Sequence, residues 1–244
     1  MKLYQINMKV NKFLKLAAPN LIDNNSADAE ELPEDSDNTK TILDNISDLS
    51  TFRARIEYAE RNMKRLSSGS SRMVFETSDG YVVKLAKNEK GLAQNGVESS
   101  PGLRSKYING ALHSCPNDSW ILAEKAEDLK MEEFEKLTGL SFEDFGEAIS
   151  YGLRHLSSNK DKKKPENFEK ISQNEFYKDI YRAGNQFNLL PGDLDRISSY
   201  KKIKDRVVLV DAGLTREIYD EFYKKKKDSQ SKSSKKSSNK TNKS

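Results

Sequence analysis

The sequence predicts an α+β chain in which strands are grouped ahead of helices. Two observations carry this reading. Residues 73–85 hold two β-rich runs around a strong hairpin signal, and the stretches after Ser141 and Ser172 show helical periodicity behind capping residues. The chain has 244 residues, enough for one domain of moderate size, or one domain with tails. At 35% hydrophobic it is poor in apolar residues for a wholly folded chain, which disordered ends would reconcile.

In chain order, residues 1–18 form an N-terminal arm whose Leu3, Tyr4, Ile6, Met8, Val10, Phe13 and Leu14 suit a strand or a docking segment. Residues 19–50 read as an acidic linker, and residues 51–223 as the domain. Phe52, Ile56, Ala59, Met63 and Leu66 recur at three or four residues, which predicts a helix over 51–66. Strands follow at 73–76 and 81–85, joined by Thr77-Ser78-Asp79-Gly80. Asn88 caps a helix reaching Glu98, and 107–112 and 120–126 are the next strand candidates. Ser141 and Asp144 have capping-box spacing ahead of Phe145, Ile149, Leu153 and Leu156. Ser172 and Glu175 repeat it ahead of Phe176, Ile180, Ala183 and Phe187. Residues 159–164 and the basic stretch 201–206 read as charged loops, and 207–210 as a buried strand.

The net charge of +4 is uneven. Residues 224–244 carry nine lysines and one aspartate, leaving the body at −4. This tail has no apolar anchor and is expected to be disordered, either as a solubilising tail or as a nonspecific contact to a polyanion. No run approaches a membrane span, and residues 1–16 lack the pattern of a secretory signal. A single cysteine, Cys115, excludes an internal disulfide framework and argues for a reducing compartment. It also excludes cysteine-rich zinc sites, and His113 and His155 are too few for a histidine metal site. Trp120 reads as core.

Three segments carry chemistry. Ser67, Ser68, Gly69, Ser70 and Ser71 make a small-residue turn ahead of a hairpin, which lets backbone N–H groups approach phosphate oxygens. Lys84 follows three β-formers and needs a partner if it points inward, and Glu98 lies one helix later. The alternative is an edge lysine in solvent. Finally, Pro191-Gly192-Asp193 and the strand leading to Asp211 place two carboxylates at a loop and a strand end. Asp193 suits orienting or deprotonating a hydroxyl, and Asp211 suits binding Mg²⁺ at a phosphate. Each also reads as an ordinary turn residue.

The order of these segments resembles the protein-kinase-like fold, and the Gly-Asp loop brings it nearest to the aminoglycoside phosphotransferases. The stretch 83–95 (VKLAKNEKGLAQN) also looks like small kinase-like proteins of large tailed bacteriophages. The resemblance covers about 51–223 and implies a minimal two-lobed fold with a truncated C-terminal lobe. It implies ATP and Mg²⁺ as cofactors, and γ-phosphoryl transfer to an unidentified hydroxyl acceptor. By position, Ser68, Gly69, Ser70 and Ser71, with Arg72, would cover the phosphates. Lys84, paired with Glu98, would contact them. The backbone of Glu124 and Ala126 would meet adenine. Asp193 would be the catalytic-loop aspartate, and Asp211 and Ser198 would hold metal. The implied location is the cytoplasm, or the virion for a phage protein, with no membrane partner.

The sequence departs from that pattern at four places. Pro191 stands for the usual histidine, Ser198 for the usual asparagine, and Ala212 for phenylalanine. Only 33 residues follow Asp211, most of them the tail. These departures imply an alternative of another class: a catalytically inactive kinase-fold scaffold or virion-associated binding protein. A third reading is a nucleic-acid accessory protein acting through the tail.

Overall fold

The computed structural model describes residues 37–157 and 161–224. The N-terminal arm, the linker up to residue 36 and the tail beyond Lys224 lie outside the described residues. Described elements run in the order α1 (Asp37–Asp48), α2 (Phe52–Asn62), β1 (Lys64–Ser68), β2 (Arg72–Glu76), β3 (Tyr81–Ala86) and α3 (Glu89–Glu98). Next come β4 (His113–Ser114), β5 (Trp120–Glu124), α4 (Met131–Thr138), α5 (Phe142–Gly152), α6 (Phe168–Ile171) and α7 (Glu175–Gln186). The chain then forms α8 (Pro191–Leu194), β6 (Tyr200–Ile203), β7 (Arg206–Leu209) and α9 (Arg216–Tyr219). Helices and antiparallel strands are therefore mixed, as the α+β reading expects.

β1 to β5 form one antiparallel sheet in the order β1-β2-β3-β5-β4. The hairpin at Asp79-Gly80 forms, and Gly80 takes φ +85°, which a side chain resists. Strand alternation then sorts the side chains. Met73, Phe75, Val83, Leu85, Trp120 and Leu122 pack with Ile42, Leu43, Ile46 and Ala59 of α1 and α2. The residues between them, Val74, Val82 and Lys84, line a cleft on the opposite side. Trp120 is core, and its Nε1 donates to Ser47 Oγ of α1 at 2.9 Å.

A second cluster gathers Phe134, Phe145, Phe176 and Tyr200 from α4, α5, α7 and β6. Three of their ring pairs meet edge to face and three are tilted, with centroids 5.1–5.9 Å apart. Ala93 and Val97 of α3 belong to this cluster as well. Within it, Gly184 of α7 allows close packing, since a Cβ there would come within 2.4 Å of Leu153 Cδ1.

Several elements differ from the sequence reading. The helix expected over 51–66 ends at Asn62. Met63 turns extended, and Leu66 lies on β1, where backbone pairing with β2 replaces helical bonds. The expected linker, 19–50, contains helix α1: Ile42, Leu43 and Ile46 give it one buried stripe in a polar window. Residues 107–112 form no strand. Gly110 packs against Arg104, and the segment makes only isolated bridges, one of them from Ile108 to Leu209. α7 is capped by Asn174, whose Oδ1 accepts from Phe176 N and Tyr177 N, while Ser172 closes α6. Residues 201–206 are not a loop. Tyr200 and Ile203 point inward on β6, and Lys201 and Lys202 pair with Asp128 and Glu133. α4 was not foreseen, because Phe134 and Leu137 are its main apolar residues among charges.

The caps at Asn88 and Ser141 form as expected. Asp118, with φ +57°, lies beside the C-terminal end of α3, within reach of Ser99 Oγ. Burial pushes its carboxyl up to about 6, against a small opposing effect of the Ser99 hydroxyl. The carboxylate also faces the negative end of the helix.

Two measurements check this packing. Ile46→Ala should cost about 2–4 kcal/mol in urea unfolding, and exposed Lys40→Ala less than about 0.5 kcal/mol. Second, native Asp118 binds its proton more tightly than the unfolded chain does, so stability falls as pH rises from about 4 to 6. Asp118→Asn keeps the left-handed turn and removes that loss. It should match wild type near pH 4 and exceed it at pH 7 by about 1–2 kcal/mol, allowing for solvent screening.

Candidate functional site

The cleft between the two clusters has a volume of about 1110 Å³. Val74, Val82, Leu190, Val210 and Leu214 give it apolar walls. Of the residues singled out in the sequence, Gly69, Ser70, Ser71, Lys84, Glu124, Ala126, Asp193, Ser198 and Asp211 all line it. Ser68 and Glu98 do not. Ser68 Oγ accepts from Lys87 Nζ at 3.0 Å, and Glu98 is buried behind the wall.

The back of the cleft is a chain of charges. Lys84 projects from β3 and pairs with Glu98 Oε2 at the end of α3. Its Nζ also donates to the Val210 carbonyl at 2.5 Å. Glu98 Oε1 lies 2.8 Å from the Arg72 guanidinium, which meets Asp211 Oδ1 at 2.7 Å. Arg72 also donates to Asn95 Oδ1 at 3.4 Å. Burial pushes the Glu98 carboxyl up, but the charges of Arg72 and Lys84 outweigh it and hold the group below the usual carboxylate range. Burial disfavours the Arg72 cation, and Glu98 and Asp211 more than restore it. The Lys84–Glu98 pair expected from sequence thus forms. Arg72 as the bridge to Asp211 was not foreseen; its place after the Ser-Gly turn was the one available signal.

Close backbone approach fixes the parts. A Cβ on Gly213 would fall 2.9 Å from Gln94 Cβ and 3.0 Å from Glu98 Oε1, so only glycine lets the chain after Asp211 lie on α3. Gly91 does the same for the Ser-Gly turn, with Ser71 O only 2.3 Å from a built Cβ. That turn is pinned from behind. Ser70 O accepts from Asn88 Nδ2 at 3.0 Å, Gly69 O from Lys87 Nζ at 2.8 Å, and Ser71 Oγ donates to Gln94 Oε1 at 2.5 Å.

On the opposite wall Asp193 lies in α8. Its Oδ1 is 3.1 Å from Arg196, and its carbonyl accepts from Ser199 Oγ at 2.7 Å. Burial raises the Asp193 carboxyl, Arg196 pulls it down, and Asp211 and Asp195 add to the rise. Glu124 does not offer a bare carbonyl: it accepts from Asn109 Nδ2 at 2.9 Å, while its side chain pairs with Arg104 and Arg206. Cys115 is buried, with Sγ 3.5 Å from Ser47 Oγ.

The donors make a poor dedicated Mg²⁺ site. Asp193 and Asp211 each carry an arginine, and Ser198 adds only a neutral hydroxyl. Among the described residues no three acidic, histidine or cysteine side chains gather as a metal site. No helix among them is long and apolar enough to cross a membrane.

No family model matches the chain, and no curated protein does. Among solved structures, a ternary complex of streptomycin, ATP and APH(2″)-IIa is a neighbour, at 15% identity and a TM-score of 0.31. The match covers 68% of this chain and 72% of that one. Nothing in these comparisons supports a phage origin.

The buried charges predict an order of mutational cost. Glu98→Gln leaves buried Lys84 without a carboxylate and Arg72 with Asp211 alone, and should cost about 3–5 kcal/mol in urea unfolding at neutral pH. Lys84→Met leaves Glu98 paired with Arg72 and should cost clearly less. Equal costs, or the reverse order, would contradict the shared-carboxylate arrangement.

Proposed function

We propose that this cleft binds a nucleoside triphosphate in the manner of a kinase-like fold, with Lys84 on the phosphates and the base against the apolar wall. The observation that carries the reading is Lys84, held by buried Glu98 at the back of a cleft that also collects the Ser-Gly turn, Asp193 and Asp211. A lysine fixed by a carboxylate offers a preorganised charge to an anion, at no cost of ordering a long side chain on binding. Gly69, Ser70 and Ser71 supply small residues at the rim. The backbone around Glu124 and Ala126 is the place for the base, with the Glu124 carbonyl already partly engaged by Asn109.

Phosphoryl transfer is the fuller form of this proposal. Asp193, made more basic by burial, would accept the proton of an acceptor hydroxyl. The hydroxyl oxygen would bond to the γ-phosphorus as the bond to the β-phosphate oxygen breaks, leaving a nucleoside diphosphate. A second reading is binding without transfer, by a scaffold of the same fold. It is favoured by the Arg196–Asp193 pair, which ties up the one carboxylate suited to act as base.

Thermal unfolding with and without ATP tests the shared part. With ATP at a hundred times its Kd, the midpoint should rise by about 5–10 °C. Lys84→Met should abolish the rise. A folded wild type that shows no shift in millimolar ATP would overturn nucleotide binding. Given a shift, transfer of labelled phosphate that Asp193→Asn abolishes separates the enzyme from the scaffold.

A further inference from the structure

We propose that the Arg72 guanidinium, rather than a divalent cation, is the counter-ion of Asp211, and that the cleft takes a nucleotide's phosphates without a metal. The proposal rests on the nucleotide reading above and deepens it.

Arg72 is not a surface side chain that drifts onto Asp211. Its side chain is 9% exposed, and it is held by Glu98 at 2.8 Å, Asp211 at 2.7 Å and Asn95 at 3.4 Å. Each Glu98 oxygen has a cation beside it, Arg72 at Oε1 and Lys84 at Oε2. Glu98 and Asn95 hold the guanidinium in place independently of Asp211, whose side chain is 62% exposed, so the fixed cation stands beside Asp211 whichever way that carboxylate turns. A Mg²⁺ ion bound to Asp211 would sit about 2 Å from its oxygen, within a few ångströms of a permanent positive charge. Asp193, the other carboxylate a metal would need, has its own arginine at 3.1 Å. Arginine, in contrast, presents five donors in a planar fork suited to phosphate, and Arg72 lines the cleft beside Lys84. It therefore does two things a metal ion would otherwise do. It neutralises Asp211, and it offers positive charge to the ligand.

Two experiments on the full chain test this. In the first, ATP affinity is measured by calorimetry in EDTA and in excess Mg²⁺. The expected result is agreement within about threefold, with a loss of more than about tenfold in Arg72→Gln. A Mg²⁺ requirement above about tenfold would overturn the proposal. In the second, water-proton relaxation reports Mn²⁺ binding to the protein without nucleotide. Wild type should not hold millimolar Mn²⁺, and Arg72→Gln, which frees Asp211, should hold it more tightly. Mn²⁺ bound by wild type and released in Asp211→Asn would overturn the counter-ion assignment. The two failures are distinct: no ATP binding under either condition removes the nucleotide reading, and the Mn²⁺ result still decides the counter-ion. If Arg72→Gln does not fold, wild type and Asp211→Asn decide both experiments.

Discussion

One buried carboxylate organises this protein. Glu98 is 2% exposed and stands between two cations that come from different strands, Lys84 of β3 and Arg72 of β2. A carboxylate in such surroundings stays ionised because cations stand beside it. Lys84 reaches on to the carbonyl of Val210, and Arg72 to the side chain of Asp211. Two separate interactions thus tie the sheet to the segment that follows β7, and each is made by a cation that Glu98 also holds. Removing it would release both sides of the cleft, not a single contact.

The surrounding backbone is built to keep that carboxylate in place. Asn95, one turn before Glu98, donates to the carbonyls of Lys84 and Asp118 at 3.2 and 2.9 Å, which locks α3 onto β3 and the β4–β5 turn. Gly213 lets the chain after Asp211 press against the same helix, and Gly91 lets the Ser-Gly turn do so at its other end. α3 is therefore the element against which both cleft walls are set. Its Ala93 and Val97 pack into the aromatic cluster while its Glu98 serves the sheet. An arrangement fixed from so many directions suits binding by preorganised charge.

Part of this was legible in the sequence because it follows local rules. Asp79-Gly80 marks a hairpin, and Asn88 and Ser141 mark helix starts, through chemistry that acts within four residues. Lys84 stood out because a lysine at an inward strand position needs a partner, and Glu98 lay one helix away. What was missed depends on contacts far along the chain. Arg72 reads as the end of a polar turn, and only folding brings Asp211 to it across 139 residues. α1 hid in an acidic window, since Ile42, Leu43 and Ile46 gain meaning only against the sheet. β6 hid behind Lys201 and Lys202, whose partners Asp128 and Glu133 lie about 70 residues away. The helix over 51–66 was overextended because Leu66 fits the period, and edge pairing with β2 overrides it.

The most direct test of the central carboxylate is a double-mutant cycle between Glu98→Gln and Arg72→Gln, read by urea unfolding. If Glu98 is held between Arg72 and Lys84, each single change leaves a buried charge poorly compensated. The double variant should then cost less than the sum of the two by about 2 kcal/mol or more. Additivity within about 0.5 kcal/mol would show that the two groups do not depend on each other, and would contradict this account of the site.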